Sequence, residues 1–249
     1  MRICVLVLVL AAIAASCDAS TNGFKLQMPL AFNVPFASDK LVSVLTTLKT
    51  WMQQGHKKPD IPILEPFQTV HMPLSVNNPF IRYFGNLDNP YITGLSNFNV
   101  KKGEYNLEDN KAVVNLKWDA IYFLAMYDVT SLQVVDWPMA YGQGAMVAVA
   151  RGLEITVEVK IAKNSGNKLD VSDLKLTVSL DKLEFNASGL LGDPDESTKF
   201  SDKISAEMPQ IIIDNQAKLS YYGGQALKKI LDQSLLNMTY DDFIAMINT

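Results

Sequence analysis

Cysteine is nearly missing from this chain of 249 residues: Cys4 and Cys17 are its two examples, and both fall within the first 19 positions. Histidine is as scarce, with His56 and His71. Positive charge is not in surplus either, since 22 basic residues face 26 acidic ones. Each scarcity removes a class of function. Two isolated histidines in a proline-rich stretch make neither a metal cluster nor a general base beside a nucleophile. A mildly acidic chain lacks the basic stripe that neutralises phosphates, so no nucleic acid partner and no polybasic membrane anchor are expected. No GxSxG, HExxH, P-loop or EF-hand loop occurs, and YGQG at 141–144 lacks the third glycine and the helix of a dinucleotide turn. The acidic pairs Asp193 with Asp195 and Asp241 with Asp242 read as solvated surface. The sequence predicts no catalytic residue, no metal and no cofactor.

Long apolar runs are missing as well. The run 3–15 is shorter than the ~20 residues that span a bilayer, and no later segment approaches that length without charges, so no integral membrane span is expected. Arg2 precedes the run and small residues follow it, so MRICVLVLVLAAIAASCDAS reads as a secretory signal peptide over residues 1–19, cleaved after Cys17 or after Ala19. Either cleavage removes both cysteines. Residues 20–249 then form one exported domain whose stability comes from its core, without disulfides. The sequons Asn186-Ala-Ser188 and Asn237-Met-Thr239 make Asn186 and Asn237 candidate glycosylation sites.

What the chain does have is apolar periodicity. Leu41, Val44, Leu45, Leu48 and Met52 recur at helical spacing between a capping Ser38 and Gly55, which predicts a short amphipathic helix. Four prolines, Pro59, Pro62, Pro66 and Pro73, make the next stretch extended, irregular or a sheet edge. From Ile92 to Ile161 the period changes to two, with turns expected at 101–103, 108–110 and 141–144. Leu153, Ile155, Val157, Val159 and Ile161 alternate with polar residues, as do Leu174, Leu176, Val178 and Leu180 after the turn KNSGNK. These two runs read as a long antiparallel hairpin in a twisted, curved sheet. After a break at 193–196, Met208, Ile212, Leu219, Leu227, Ile230 and Leu235 predict one long closing helix with Pro209 in its first turn. Gly223 and Gly224 inside it mark a bend, an end or close approach to a strand. A last short helix is expected near Thr239. Ten methionines add adaptable apolar volume, and Met126, Met139, Met146 and Met208 are candidates to line a cavity.

Several segments, in order, resemble the takeout and juvenile-hormone-binding family of secreted insect proteins. They are GHKKPDIPILEPF at 55–67 with its Glu65-Pro66, ITGLSNFNV at 92–100, WPMAYGQGAMVAV at 137–149, and Gly192-Asp193 before the terminal helix. The mature chain, residue 20 onward, departs from the family in lacking the two N-terminal cysteines that commonly form a disulfide near the tunnel mouth, which points to a divergent branch or to the related mite group 7 allergen-like proteins. The resemblance implies an α+β fold of the tubular lipid-binding (TULIP) type, an elongated long C-terminal helix wrapped by a highly curved antiparallel sheet, with the short N-terminal helix beside it. It also implies a secreted carrier whose partner is a small hydrophobic ligand, a terpenoid, fatty acid or other lipid, with a protein receptor unspecified. The rival expectation is a secreted interaction or surface-active protein of the same fold without a stoichiometric ligand. By inward direction, Leu45, Leu48, Leu116, Trp118, Phe123, Met126, Met146, Val157, Leu176, Ile212 and Leu219 are expected to face the ligand.

Overall fold

The computed structural model describes residues 38–57, 60–106, 108–135, 137–235 and 239–241. The stretch read as a signal peptide, with Cys4 and Cys17, the sequon Asn237 and most of the helix expected near Thr239 lie outside the described residues. Helix α1 (Ser38–Gln54) forms where the spacing predicts it. Leu41, Leu45, Leu48 and Met52 make its buried stripe. It ends at Gly55, whose φ of 73° is left-handed geometry that glycine adopts without a Cβ clash.

Strands β1 (His56–Lys57) and β2 (Asp60–Ile61) pair as a small ribbon. The rest join one eight-stranded antiparallel sheet: β3 (Phe67–Gln68), β4 (His71–Asn77), β5 (Ile81–Thr93), β6 (Phe98–Asn106), β7 (Lys111–Val134), β8 (Ala140–Lys163), β9 (Leu169–Ser179) and β10 (Lys182–Ala187). The proline-rich stretch supplies edge strands, with Pro73 in β4 paired to β5 alone. The predicted hairpin is β8 with β9, where Val157 faces Leu176 and Ile155 faces Val178. Of the three expected turns only 108–110 is one. Residues 101–103 lie within β6 at a bulge, and 141–144 lie within β8. Glycine there serves close packing: a Cβ on Gly142 or Gly144 would collide with the backbone of Gly189 or Ser188.

Strands β7 and β8 each run for 24 residues, far beyond the usual ~5–6, and they carry two half-sheets. β6 and β9 flank one half, and β4, β5 and β10 flank the other. Between the halves Gly152, at φ 64°, sits opposite Asp119, and the inward face changes parity. Leu116 and Trp118 point inward before it, whereas Ala125, Tyr127 and Val129 do so after it. On β8 the change runs from Leu153, Ile155 and Val157 to Met146. Each half therefore has its own core. One holds α1 against Leu116, Trp118 and Ile155, and the other gathers Tyr83, Tyr127 and Leu190. Phe123 and Met208 pack against both.

The C-terminal region is two helices rather than the one expected. α2 (Pro194–Asp214) begins on the residues read as a break: the Asp193 carboxylate accepts from the N–H groups of Asp195 and Glu196, and Pro194 occupies the first turn. Pro209 thus lies inside a helix, not at its start. Asn215 interrupts the run, and α3 (Gln216–Leu235) follows. Gly224 lies within α3, where a Cβ would press on Leu174 of β9 at 3.4 Å, so close approach is the reading that holds there.

These helices close the free edges of the sheet with side chains. Ser197, Ser201 and Ser205, one turn apart on α2, accept from the N–H groups of Leu190 (3.1 Å), just past β10, and of Ala187 (3.1 Å) and Phe185 (2.9 Å) on β10. On α3, Gln216 and Ser220 do the same for Val178 and Leu176 of β9, each at 3.2 Å. An uncovered edge would be a template for aggregation, and a helix laid along it without acceptors would leave buried donors unpaired. Ser201→Ala is therefore expected to destabilise the fold by about 1–3 kcal/mol, the cost of an orphaned buried N–H. Chemical denaturation measures it, and a loss below ~0.5 kcal/mol would show that the edge needs no such acceptor.

Two further contacts tie distant segments. The Glu65 carboxylate accepts from Gly94 N (2.8 Å), Ser96 N (2.9 Å) and Ser96 Oγ (3.1 Å), which joins the proline-rich passage to the β5–β6 turn. Gln53 of α1 donates to the same Ser96 hydroxyl at 3.2 Å. In the second core the Tyr127 hydroxyl donates to Ser188 O at 2.6 Å, and burial pushes its pKa up to about 12. Burial raises Tyr83 as well. A folded-state value above the unfolded one, near 10, contributes stability that is complete below about pH 10 and is lost as pH rises towards 12. Stability measured by denaturant titration is expected to fall over that window, and Tyr127→Phe should flatten the fall.

Candidate functional site

At the junction of the two half-sheets lies a cavity of about 270 Å³. It is just under the range of roughly 300–1,000 Å³ of small-molecule sites. One wall is sheet: Ala150 and Leu153 of β8 on either side of the Gly152 switch, Leu176 and Val178 of β9, and Leu183 of β10. The facing wall is helical, with Met208 and Ile212 from the end of α2 and Leu219 and Gly223 from α3. The interruption at Asn215 lets two helix directions line one void. Without a side chain, Gly223 leaves room there.

The far end of the cavity is closed by Phe80, Ile81 and Val134. Along β7, Val134 is 13 residues beyond Ile121, the register partner of Ala150. In a flat sheet that is about 40 Å. For both to border one small void, the sheet must curve back on itself. Asn78 holds this end in shape, since its Oδ1 accepts from Phe80 N and Ile81 N, both at 2.8 Å.

Polar groups are few. Asn78, Lys218 and Tyr222 border the cavity, and the remaining lining is apolar or glycine. Among the described residues no carboxylate faces it, and no group of three or more potential metal ligands exists. His71 pairs with Asp88 at 2.5 Å on the surface, and His56 stacks on Trp51, so both histidines are outside the cavity.

Of the residues expected to face a ligand, Leu176, Ile212 and Leu219 line the cavity. Leu45, Leu48, Leu116, Trp118 and Val157 are packed in the first core, and Met146 is packed in the second. Phe123 lies between the cores. Met126 is a correction: it is 50% exposed on the outer face of the sheet, beside Leu124 and Tyr122. It shares parity with Leu116 and Trp118, but the switch at Gly152 turns that parity outward in the second half-sheet. Met139 is also exposed, whereas Met208 is in the lining. Sequence reasoning missed Leu153, Val178 and Leu183, although the alternation containing Leu153 and Val178 was a usable signal. Phe80, Ile81 and Val134 had none, because curvature alone brings them in.

The family model for haemolymph juvenile hormone binding protein matches residues 6–245 of this chain. Among solved structures, Takeout 1 of Epiphyas postvittana aligns with a TM-score of 0.55 at 12% identity, covering 82% of this chain and 94% of that one. It shares the fold. A lipopolysaccharide binding protein aligns at a TM-score of 0.35 and 12% identity, over 78% of this chain and 39% of the other, too low a score to argue from. No curated protein sequence matches.

Proposed function

The chain belongs to the haemolymph juvenile hormone binding protein family, and from that premise we propose that it is a secreted carrier holding a small hydrophobic ligand in its internal cavity. The apolar lining of that cavity carries the reading: aliphatic side chains from β8, β9, β10, α2 and α3 enclose it, with three polar side chains at its border. Transfer of apolar surface from water is favourable by about 25 cal/mol per Å². A ligand chain losing roughly 300 Å² would gross about 7–8 kcal/mol before entropic costs, so apolar burial alone supports binding no tighter than about the micromolar range. Sequestration requires no chemistry, and among the described residues no nucleophile–base pair or metal set lines the cavity. The carrier is exported through the signal at residues 1–19 and works as one domain from residue 20 onward.

Native mass spectrometry of the secreted protein, followed by organic extraction, tests this. A discrete mass increment matching an extracted terpenoid, fatty acid or related lipid is expected. An empty protein that ignores added terpenoids and fatty acids would sink the carrier reading and favour an interaction or surface-active role. One observation points to that second role: Tyr91, Leu124 and Val147 form a half-exposed apolar row across β5, β7 and β8, flanked by Tyr122 and Met126. Asn186 continues that row on β10 and is exposed. A glycan there would cover part of it, and the same spectra would show its mass.

A further inference from the structure

Among the described residues Lys218 is the one charged side chain bordering the cavity, and no acidic side chain faces it there. Among the described residues it forms no ion pair and no hydrogen bond. Asp214, four residues earlier, is instead held by Gln210 Nε2 at 2.7 Å. The contrast with Lys228 on the same helix is direct, since Lys228 is tied to Asp170 at 3.4 Å and to Val171 O at 2.6 Å. Tyr222 follows Lys218 by four residues, the spacing that places two side chains side by side on a helix. It also borders the cavity, is partly exposed, and its hydroxyl has no hydrogen-bond partner among the described residues. An apolar pocket thus opens beside a free cation and a free neutral donor.

We propose that the ligand is an amphipathic carboxylate, with its hydrocarbon chain in the cavity and its head group at the mouth against Lys218 and Tyr222. The inference rests on the carrier reading and adds the class of head group. An anion seated at the solvent edge keeps part of its hydration, so the desolvation that makes buried ion pairs unfavourable is small here. The chain meanwhile gains from burial in the apolar lining. A neutral ester of the same length gains the second term without the first attraction. Because Lys218 is exposed, solvent screens the pair, and the expected preference is modest: about three- to tenfold, in the range of an exposed pair strengthened by a charge-assisted hydrogen bond.

The test compares dodecanoate with methyl dodecanoate at neutral pH and low ionic strength by isothermal titration calorimetry, on the full secreted protein and on Lys218→Met and Lys218→Arg. The ratio of ester Kd to acid Kd is the readout. A ratio of about three to ten that falls to near one in Lys218→Met and survives in Lys218→Arg is expected. A ratio near one in the unmodified protein, or a preference that persists in Lys218→Met, overturns the head-group inference while leaving the carrier reading standing. Failure of both probes to bind overturns the carrier reading and this inference with it.

Discussion

Replacing Trp118 with alanine is expected to destabilise the fold by about 3–5 kcal/mol, the range for removing a large buried aromatic. Trp118 is fully buried on β7, between register partners Phe98 of β6 and Leu153 of β8. Its ring meets Phe98 at a centroid separation of 5.6 Å, and its Nε1 donates to Leu95 O at 3.0 Å. Truncation empties the centre of the first core and leaves a buried carbonyl without its donor. Against a typical total stability of roughly 5–15 kcal/mol, that loss is about a fifth of the whole or more. Trp118→Phe keeps most of the ring and loses the hydrogen bond, so about 1–3 kcal/mol is expected. Urea denaturation of both variants provides the measurement. A loss below ~1 kcal/mol for Trp118→Ala would mean that this core does not carry the fold. Trp118→Phe should also bind ligand as the unmodified protein does, because Trp118 does not border the cavity.

Leu219→Asp carries the largest expected effect on binding. Leu219 lies on α3 facing the cavity and is only partly buried, so an aspartate there can reach water without unfolding the helix. The same carboxylate meets any bound hydrocarbon and withdraws apolar surface from the wall. Affinity for an apolar probe should fall at least 100-fold, about 2.7 kcal/mol. Leu124→Asp is the control. Leu124 is 48% exposed on the outer face, where a substitution away from packing changes stability by about 0.5 kcal/mol or less. If both variants bind equally well, the cavity is not the site. If both lose binding, the outer row takes part in it.

Much of the fold was legible because its signals are local. The stripe Leu41, Leu45, Leu48 and Met52, bounded by Gly55, marks α1 at helical spacing, and the alternation through Leu153–Ile161 and Leu174–Leu180 marks the β8–β9 hairpin. The start of α2 was also written locally, as Asp193, Pro194, Asp195 and Glu196 in capping order. Read for its polarity, that tetrapeptide passes for a break. Read for its capping, it opens a helix 15 residues before Pro209. Long-range relations had no such signal. The serines at 197, 201 and 205 are unremarkable on a helix until a strand edge lies beside them. The inward list failed at Met126 because one left-handed glycine, Gly152, reverses which parity faces the core.

By itself the sequence determined the scarcity of cysteine and histidine, the alternation that makes long strands, the amphipathic helices and the family to which these belong. Those follow from residue identity and spacing within a turn or a strand. Tertiary structure alone decided where the cavity lies. The cavity exists because β7 and β8 curve until Val134 and Ala150 border the same void, and because α2 and α3, separated at Asn215, both line it. Curvature is a sum of small twists over 24-residue strands, to which no single residue holds the key. Which of the chain's many inward aliphatic residues line the cavity, and which fill a core, is settled only when that sum is complete.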